Sequence, residues 1–293
     1  MNANDIKQLA IVSGKGGTGK TTIAAAFASL VKNKVMVDCD VDAADLYLLL
    51  RPKVLTQEKY FGGRSPQVDL DKCTQCGLCT EICRFNAIDN GVVDYVSCEG
   101  CGFCSHICPE NAIMMEEAFS GDWFVSDTPY GPFVHARLGI GEENSGKLVT
   151  VVRRQAAEIA KEKNLNLILI DGPPGIGCPV TASMTGVELV LAVTEPTLSG
   201  IHDLERILKL AGHFKIPSMV CINKFDINLQ NSEQIGSYCE SNGSKIIGKI
   251  PYEPKVVEAL VNKKTVMEYP CNGVERIIHR MWEEVESMLT QKD

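Results

Sequence analysis

Apolar residues along the chain fall into two patterns, short continuous runs and positions at helical spacing. Continuous apolar runs of about four to eight residues are typical of strands that are buried on both faces of a parallel sheet. The chain has such runs at 7–13, 34–40, 165–171, 187–193 and 218–223. Helices are indicated at 22–31, 149–163 and 274–289. This alternation predicts an α/β fold, a doubly wound and mainly parallel sheet with helices on both faces.

Two regions depart from this alternation. From about residue 59 to residue 115 the composition changes and cysteine becomes frequent. Residues 118–146 are rich in glycine, aromatic and polar residues and show no clear period. A connection of that length is usually functional or disordered. We therefore expect His135, Arg137 and Glu142 to face a partner or a dimer seam, with a solvated connection as the alternative.

Composition and charge limit the class of protein. The chain has 293 residues, 45% of them hydrophobic, which is enough for one large α/β domain and a small one. A formal net charge of −8 argues against a sequence-independent nucleic-acid surface. The N-terminus lacks the pattern of a signal peptide, and no apolar run reaches the ~18 residues of a membrane-spanning helix.

The helix at 274–289 has an acidic polar face that anionic lipid should not attract, so we expect it to pack on the sheet. We expect a soluble cytoplasmic protein without nucleic-acid or membrane partners.

A glycine-rich segment follows the first predicted strand and precedes a predicted helix. Its residues are Gly14, Lys15, Gly16, Gly17, Thr18, Gly19, Lys20, Thr21 and Thr22. The segment matches G-x-x-x-x-G-K-S/T, the P-loop, in which backbone N–H groups and a helix N-terminus bind phosphate oxygens. We expect Lys20 to neutralise the β- and γ-phosphates of a nucleotide and the Thr21 hydroxyl to ligate Mg²⁺. A glycine-rich turn without a ligand is the alternative.

Three aspartates lie at the ends of predicted strands, at the sheet edge where ligands gather in parallel α/β folds. Asp38 and Asp40 end the second strand, and Asp171 ends the strand at 165–171. We expect Asp171 to hold Mg²⁺ through water. Asp38 is expected to be a Mg²⁺-shell or structural residue. The alternative is that one of the first two aspartates only caps a helix that begins near residue 43.

Eight of the 13 cysteines lie in the segment from Cys73 to Cys108. They form two copies of C-x2-C-x2-C-x3-C, namely Cys73, Cys76, Cys79 and Cys83, then Cys98, Cys101, Cys104 and Cys108. An odd cysteine total without a secretory signal speaks against disulfides. A zinc site needs four ligands, whereas this segment has eight cysteines at a repeated spacing. The pattern predicts iron–sulfur clusters, with zinc or no metal as the alternative.

The cysteine repeat resembles the bacterial two-cluster ferredoxin, in which the fourth cysteine of each copy ligates the other cluster. The resemblance implies one [4Fe–4S] cluster on Cys73, Cys76, Cys79 and Cys108, and a second on Cys98, Cys101, Cys104 and Cys83. Arg84 stands where the second copy has Pro109, which loosens that turn without removing a ligand. Because strands precede and follow the repeat, we expect 1–58 and 116–293 to form the nucleotide-binding domain, and 59–115 to be an inserted, small α+β ferredoxin-like domain.

The order of the motifs resembles the MinD, ParA, Mrp and nitrogenase iron-protein superfamily of deviant P-loop ATPases. The P-loop with its second lysine, the D-x-D pair and the D-G-P-P-G segment at 171–175 carry this resemblance. It implies a homodimer in which Lys15 reaches the phosphates bound to the partner; an exposed, solvated lysine is the alternative. It also implies that Asp40 orients the attacking water and that 172–175 is a switch that responds to the γ-phosphate. The catalytic residues would be Lys15, Lys20, Asp40 and Asp171.

The sequence leaves more than one interpretation for the residues that contact the nucleotide base. Asn223 and Asp226 form N-K-x-D, which is either the guanine-reading motif of GTPases or the adenine-contacting asparagine of the superfamily. The type of P-loop favours ATP over GTP. Pro251 closes the last predicted strand at the same sheet edge, and we expect it to flank the base.

Cys178 lies seven residues after Asp171, where the nitrogenase iron protein has a cysteine that ligates a cluster shared across its dimer. The second cysteine of that site has no counterpart here. The default expectation is a buried structural cysteine, and a metal contact across a dimer is the alternative. We expect Cys221, Cys239 and Cys271 to be structural.

These observations favour an ATPase in which nucleotide-driven closure of a dimer is coupled to electron transfer through two clusters. The partner would be an unidentified redox or iron–sulfur acceptor protein. An iron–sulfur carrier or scaffold of the Mrp type is one alternative, and release of iron to an apo-acceptor with ATP would favour it. A MinD- or ParA-like positioning ATPase with redox-sensing clusters is the other, and ATP-dependent assembly without cluster turnover would favour it.

Overall fold

The computed structural model describes residues 6–139 and 145–291. Within these residues, nine strands form one sheet in the order β11-β10-β9-β1-β8-β2-β7-β6-β3. The strands are β1 Lys7–Ser13, β2 Lys34–Asp38, β3 Lys53–Val68, β6 Ile113–Thr128, β7 Gly131–Leu138, β8 Leu167–Pro174, β9 Leu189–Thr194, β10 Ser218–Asn223 and β11 Lys245–Ile250. The strands from β11 to β7 in this order are parallel, and β6 and β3 are added antiparallel. The predicted α/β fold with a mainly parallel sheet is confirmed.

Helices cover both faces of the parallel part of the sheet. The helices of the described residues are α1 Lys20–Leu30, α2 Leu46–Leu50, α3 Leu78–Ile82, α4 Phe103–Ile107, α5 Ser145–Glu162, α6 Cys178–Met184, α7 Leu198–His213, α8 Leu229–Ser241, α9 Pro254–Val261 and α10 Val274–Thr290. Of these, α3 and α4 take no part in covering the parallel strands. Alternate residues of each central strand enter opposite cores. Ala10 belongs to the core that includes residues of α5, α6, α7 and α8, whereas Leu9 belongs to the core that includes residues of α1, α2, α9 and α10. Burial on both faces explains why these strands have continuous apolar sequences.

The C-terminal helix α10 packs on the sheet, as its apolar spacing predicts. Ile278, Met281 and Val285 are fully or almost fully buried, and Trp282 meets Phe27 of α1 edge to face at 5.3 Å between ring centroids. Within the described residues, no helix has both the length and the apolar sequence needed to cross a membrane.

The segment that follows residue 113 is a strand rather than the long loop that its composition predicted. β3 and β6 are 16 residues long each and pair from Lys53 with Asp127 to Val68 with Ile113, and β7 then returns along β6. Most of β3 is exposed, and register shifts interrupt its pairing, so neither strand has a continuous or alternating apolar pattern. We call this pair of strands the ribbon.

Residues 69–112, which we call the cysteine-rich tip, lie at the end of the ribbon. Asp69 N–H donates to Ala112 O at 2.8 Å and closes the tip onto the ribbon. The tip contains α3, α4 and the short hairpin of β4 Ile88–Asp89 and β5 Val92–Val93. The boundaries expected at 59 and 115 lie within β3 and β6, because the strands that carry the tip extend beyond the region of unusual composition.

The two copies of the cysteine motif adopt the same local backbone. Gly77 and Gly102 each precede their short helix with a positive φ, 79° and 74°. Asn86 and Asn111, three residues after the fourth cysteine of each copy, also have similar positive φ angles of 53° and 50°. The sequence repeat is therefore also a structural repeat.

Candidate functional site

The P-loop connects the carboxyl end of β1 to α1, and its conformation depends on glycine. Gly17 and Gly19 have φ angles of 79° and 90°, which residues with a side chain rarely adopt. A Cβ atom on Gly14 would collide with Asp203, and one on Gly19 would collide with the side-chain amide of Asn223. The predicted phosphate-binding segment is thus a tight loop that ends at the N-terminus of α1, where an anion is favoured.

Lys20 is buried at the start of α1 among the aspartates that follow β2 and end β8. Its Nζ lies 3.0 Å from Asp171 Oδ1, 3.6 Å from Asp40 Oδ2 and 3.3 Å from Thr21 Oγ1. Burial alone would lower the pKa of Lys20, but the charges of Asp171, Asp40 and Asp38 outweigh burial and raise that pKa. The structure therefore brings together the residues that the motifs predict around the phosphates.

Asp38 is almost fully buried, and backbone amides use both oxygens of its carboxylate. Oδ1 accepts the Asp40 N–H at 3.0 Å, and Oδ2 accepts the N–H of Leu46, the first residue of α2, at 3.3 Å. Burial, with the nearby charge of Asp171, raises the pKa of Asp38 well above its usual range. Asp38 thus binds the start of a helix, which begins at Leu46 rather than near residue 43.

Two buried oxygens of this site lack a hydrogen-bond partner in the described part of the chain, Thr18 Oγ1 and Asp171 Oδ2. Buried polar atoms are almost always partnered, so these two atoms are unusual within the described part of the chain. However, no group of three or more His, Cys, Asp or Glu side chains in residues 6–139 and 145–291 is arranged to hold a metal ion. This holds for the aspartates around Lys20, where Lys20 pairs with Asp171 and backbone amides bind Asp38, and for the cysteines of residues 73–108.

Lys15 binds the connection between β9 and α7 of its own chain. Its Nζ lies 2.6 Å from Glu195 Oε1, and the Nζ of Lys224 lies 3.2 Å from Glu195 Oε2. The sequence interpretation did not single out Glu195 as a site residue. The signal that could have found it is its place directly after a buried strand, at the same sheet edge as Asp38 and Asp171.

The residues expected near the base lie at this edge and hold neighbouring loops. Asn223 donates from Nδ2 to Thr18 O at 2.8 Å, so it fixes the P-loop to the end of β10. Asp226 accepts the Tyr252 N–H at Oδ1 at 2.7 Å, and Pro251 follows the end of β11. Of the three predicted residues, Asn223 thus contacts the P-loop, whereas Asp226 and Pro251 lie on the neighbouring connections that follow β10 and β11.

The expected switch at 172–175 packs on β1. β8 continues to Pro174, and Gly175 N–H donates to Ser13 O at 2.9 Å. A Cβ atom on Gly172 would lie 2.8 Å from Val12 Cγ1, so glycine is required for this close approach. The segment after Asp171 is therefore in direct contact with the strand that leads into the P-loop.

Cys178 begins α6 and is exposed. The default expectation of a buried structural cysteine is wrong at this position, because the first turn of α6 lies at the surface. The remaining cysteines outside the tip, which are Cys39, Cys221, Cys239 and Cys271, are buried. Burial of the last three is what a structural role would require.

His135 was expected to face a partner, but it is buried in β7. Its ring stacks on Phe133 at 4.6 Å and on Phe124 of β6 at 4.9 Å between centroids. Burial lowers the pKa of His135 to about 4, and no partner of its Nδ1 lies within the described residues. Arg137 is exposed, and Glu142 lies outside the described residues.

The eight cysteines of the tip divide between two cavities. One, of about 350 Å³, is lined by Cys83, Cys98, Cys101 and Cys104. The other is much smaller, with a volume of about 20 Å³, and is lined by Cys73, Cys76, Cys79 and Cys108. In both motifs, the N–H four residues after the fourth cysteine donates to that sulfur, from Ala87 to Cys83 at 3.3 Å and from Ala112 to Cys108 at 3.4 Å. Each set of four cysteines is thus the crossed set that the repeat implies.

Solved structures share the fold across nearly the whole chain. The septum site-determining protein MinD from Pyrococcus horikoshii, complexed with Mg-ADP, matches with a TM-score of 0.58 and 17% identity over 97% of this chain and 98% of that chain. Cyanothece McdA in its apo form matches with a TM-score of 0.58 and 15% identity over 96% of this chain and 99% of that chain. At these identities the likeness concerns the fold alone.

Sequence comparison identifies the family. An uncharacterized protein of Methanocaldococcus jannaschii is 34% identical over 266 residues, which cover 88% of this chain and 89% of that protein. A second uncharacterized protein of the same organism is 25% identical over 89% of this chain and 91% of that protein. Residues 9–266 match the family described as the CobQ/CobB/MinD/ParA nucleotide binding domain. The chain therefore belongs to the CobQ/CobB/MinD/ParA nucleotide-binding family.

Proposed function

We propose that this protein is a dimeric ATPase of the MinD/ParA type that holds two [4Fe–4S] clusters in its cysteine-rich tip and exchanges electrons with an acceptor protein. The observation that carries the proposal is the division of the eight cysteines. Cys83 lines one cavity with the first three cysteines of the second motif, and Cys108 lines the other with the first three of the first motif. The two-cluster motif requires this crossed arrangement.

Hydrogen bonds to two of the cysteines also support this proposal. The amide hydrogen bonds to Cys83 and Cys108 stabilise negative charge on sulfur, and such bonds help to set cluster potentials. The ligands of a cluster bind four separate irons, so four cysteines around a cavity suit a cluster better than a single ion. Bound [4Fe–4S] clusters would supply one-electron carriers.

The nucleotide site supports the ATPase part of the proposal. Lys20 and the P-loop would bind the phosphates of ATP, Thr21 and Asp171 would hold Mg²⁺, and Asp40 would orient the attacking water. A solved relative by fold, MinD of Pyrococcus horikoshii, is described as complexed with Mg-ADP. Lys15 would reach the nucleotide of a second copy, and the 172–175 segment would respond to the γ-phosphate.

Paired cysteine substitutions test the cluster assignment. The protein is prepared anaerobically, and iron and acid-labile sulfide are counted per chain for the wild type and two double variants. We expect about eight irons in the wild type, since two cubane clusters contain that number. Cys73→Ser with Cys108→Ser removes ligands of one cluster and should keep about four irons. Cys73→Ser with Cys83→Ser removes one ligand from each cluster and should lose nearly all iron.

In the uncrossed arrangement, each motif would hold its own cluster, and the two results would be exchanged. Cys73→Ser with Cys83→Ser would then keep about four irons, and Cys73→Ser with Cys108→Ser would lose nearly all iron. A wild type with far fewer irons, or with zinc instead, would contradict the clusters themselves. Cys178→Ser serves as a control because this exposed cysteine lies outside the tip. Unchanged iron and ATP turnover in that variant would exclude a metal contact at Cys178.

A MinD- or ParA-like positioning ATPase is the second candidate, and the fold shared with MinD and McdA favours it. The two candidates differ in what ATP changes. If the protein transfers electrons, the midpoint potential of its clusters should depend on nucleotide. Assembly that depends on ATP, with a potential that does not, would favour positioning. Transfer of iron to an apo-acceptor on addition of ATP would instead favour a carrier of the Mrp type.

A further inference from the structure

The amino group of Lys15 has three acceptors in its own chain, two on the connection between β9 and α7 and one in the first turn of α7. Nζ lies 2.6 Å from Glu195 Oε1, 3.1 Å from Thr197 Oγ1 and 3.1 Å from Ser199 Oγ. An ammonium group can donate three hydrogen bonds, so these three oxygens satisfy it fully. The side chain of Glu195 is only 16% exposed and that of Lys15 is 30% exposed, which makes the pair more protected than an ordinary surface ion pair.

The second oxygen of the Glu195 carboxylate is used as well. Lys224 Nζ lies 3.2 Å from Glu195 Oε2 and also donates to Gly17 O at 3.2 Å. Burial alone would raise the pKa of Glu195, but the hydrogen bonds from Lys15 and Lys224 outweigh burial and lower that pKa. Glu195 therefore remains a carboxylate between two cations, Lys15 and Lys224.

The connection that carries these acceptors is fixed against the P-loop. Thr197 caps α7 by accepting the Gly200 N–H at 3.0 Å, and Asp203 of the same helix packs so closely on Gly14 that no Cβ atom fits there. The position of Glu195 relative to the P-loop thus depends on helix packing and not on a free surface loop.

We propose that Glu195 is a positioning residue that holds Lys15 on its own protomer and releases it when two copies meet around ATP. This inference rests on the proposed function, in which Lys15 acts on the nucleotide of the partner. On release, the ammonium group exchanges the carboxylate oxygen for phosphate oxygens, and no covalent bond changes. Because Lys224 stays paired with Glu195, the carboxylate is not left as an unpaired buried charge, which would be costly.

Under this proposal the ion pair opposes dimer formation, so weakening it should make the dimer form more readily. A residue with only a structural role would have the opposite effect, since its loss would lower stability and activity together. Glu195→Gln keeps the shape of the side chain and removes its charge. We expect the protein concentration for half-maximal ATP turnover, and for half-maximal ATP-dependent dimer by sedimentation, to fall about 30-fold. This is the equivalent of roughly 2 kcal/mol, because each dimer releases two ion pairs of roughly 1 kcal/mol each.

Two further variants make the comparison specific. Glu195→Asp retains the charge and should restore most of the wild-type concentration dependence. Glu205→Gln is the matched control, because Glu205 lies on α7 and pairs with Lys209 at 3.9 Å. We expect Glu205→Gln to behave like the wild type. An unchanged or increased half-saturating concentration in Glu195→Gln would overturn the proposal.

A second measurement does not depend on dimer formation. Competitive acylation of the nucleotide-free protein, read by mass spectrometry of the peptide that contains Lys15, reports how firmly the amine is held. We expect Lys15 to react several-fold faster in Glu195→Gln than in the wild type and in Glu205→Gln. Equal rates would overturn the proposal. If Lys15 reacts faster but no variant dimerises with ATP, the holding contact stands and the dimeric function fails.

Discussion

Asp40 is the acidic residue of the site that remains available for chemistry. Asp38 binds two backbone amides and Asp171 binds Lys20, whereas the side chain of Asp40 is 14% exposed and lies 3.6 Å from Lys20 Nζ. We expect Asp40→Asn to lower the rate of ATP hydrolysis at least 100-fold, in line with the usual contribution of general acid–base catalysis. Because the P-loop is unchanged, ATP binding should persist, and isothermal titration would measure it. Loss of binding and hydrolysis together would contradict the catalytic assignment.

Asp38 should behave differently because its role is to hold the backbone. Asp38→Asn replaces one acceptor oxygen with an NH₂ group that faces a backbone N–H donor, and the loss of a buried hydrogen bond costs about 1–3 kcal/mol. We therefore expect a lower free energy of unfolding in urea and a smaller effect on turnover than for Asp40→Asn. Equal stability of the two variants would contradict this distinction.

The buried imidazole of His135 predicts a loss of stability in acid. Burial lowers the pKa of His135 to about 4 in the folded protein, whereas an unfolded histidine titrates near 6.5. The unfolded chain therefore binds the proton first, and stability falls as the pH drops from about 6.5 to about 4. The full difference is about 3 kcal/mol. His135→Phe retains the aromatic stack on Phe133 and Phe124, so its unfolding free energy should fall less over this range. Parallel curves for the two proteins would contradict the prediction.

At the scale of single residues, the sequence predicted the positions that belong to motifs and missed those that depend on packing. Lys20, Asp40 and Asp171 converge as the P-loop and strand ends imply. Glu195 belongs to no motif, because its role comes from the approach of α7 to the P-loop. His135 has a polar sequence context, and only the pairing of β6 with β7 shows that aromatic rings cover it.

At the scale of elements, continuous apolar runs located the central strands closely, since both faces of those strands are buried. β10 spans Ser218–Asn223 and β1 spans Lys7–Ser13, as predicted. The ribbon strands β3 and β6 were not predicted, because exposure and register shifts remove any period from their sequence. The exposure of Cys178 was missed for a related reason, as the burial of a short helix depends on which elements cover it.

Arg153 joins three elements and should be important for stability. It lies on α5 and donates from Nη1 to Ala182 O and Thr185 O at the end of α6, and from Nη2 to Gln8 of β1. Arg153→Met keeps much of the side-chain volume and leaves these acceptors without a charged donor. We expect a loss of about 3 kcal/mol in the free energy of unfolding, because bonds from charged groups contribute more than neutral ones.

Arg154→Met is the matched control, since Arg154 is the exposed neighbour on the same helix. It should change stability by less than about 0.5 kcal/mol, as is usual for surface positions. Denaturation in urea measures both variants. A similar loss in the two would mean that helix propensity, and not the bonds to α6, explains the effect.

At the scale of the whole molecule, one sheet connects the nucleotide site to the cysteine-rich tip. β2 leads to Asp38 and Asp40, β7 lies beside β2, and β7 pairs with β6 of the ribbon. His135 of β7 also stacks with Tyr47 of α2, the helix whose first amide binds Asp38. The aspartates are therefore connected to the strands that carry the tip through elements that contact one another directly.

The tip should nevertheless be removable, because its residues take no part in either core of the nucleotide-binding sheet. Val68 and Ile113 are paired in register at the end of the ribbon, so replacing residues 69–112 with Asn-Gly would close the two strands with a tight hairpin turn. We expect this variant to fold, to bind ATP and to contain no iron. Circular dichroism, nucleotide titration and iron analysis test these three expectations. If the variant is insoluble or fails to bind ATP, the tip is an integral part of the nucleotide-binding domain and not an insertion on it.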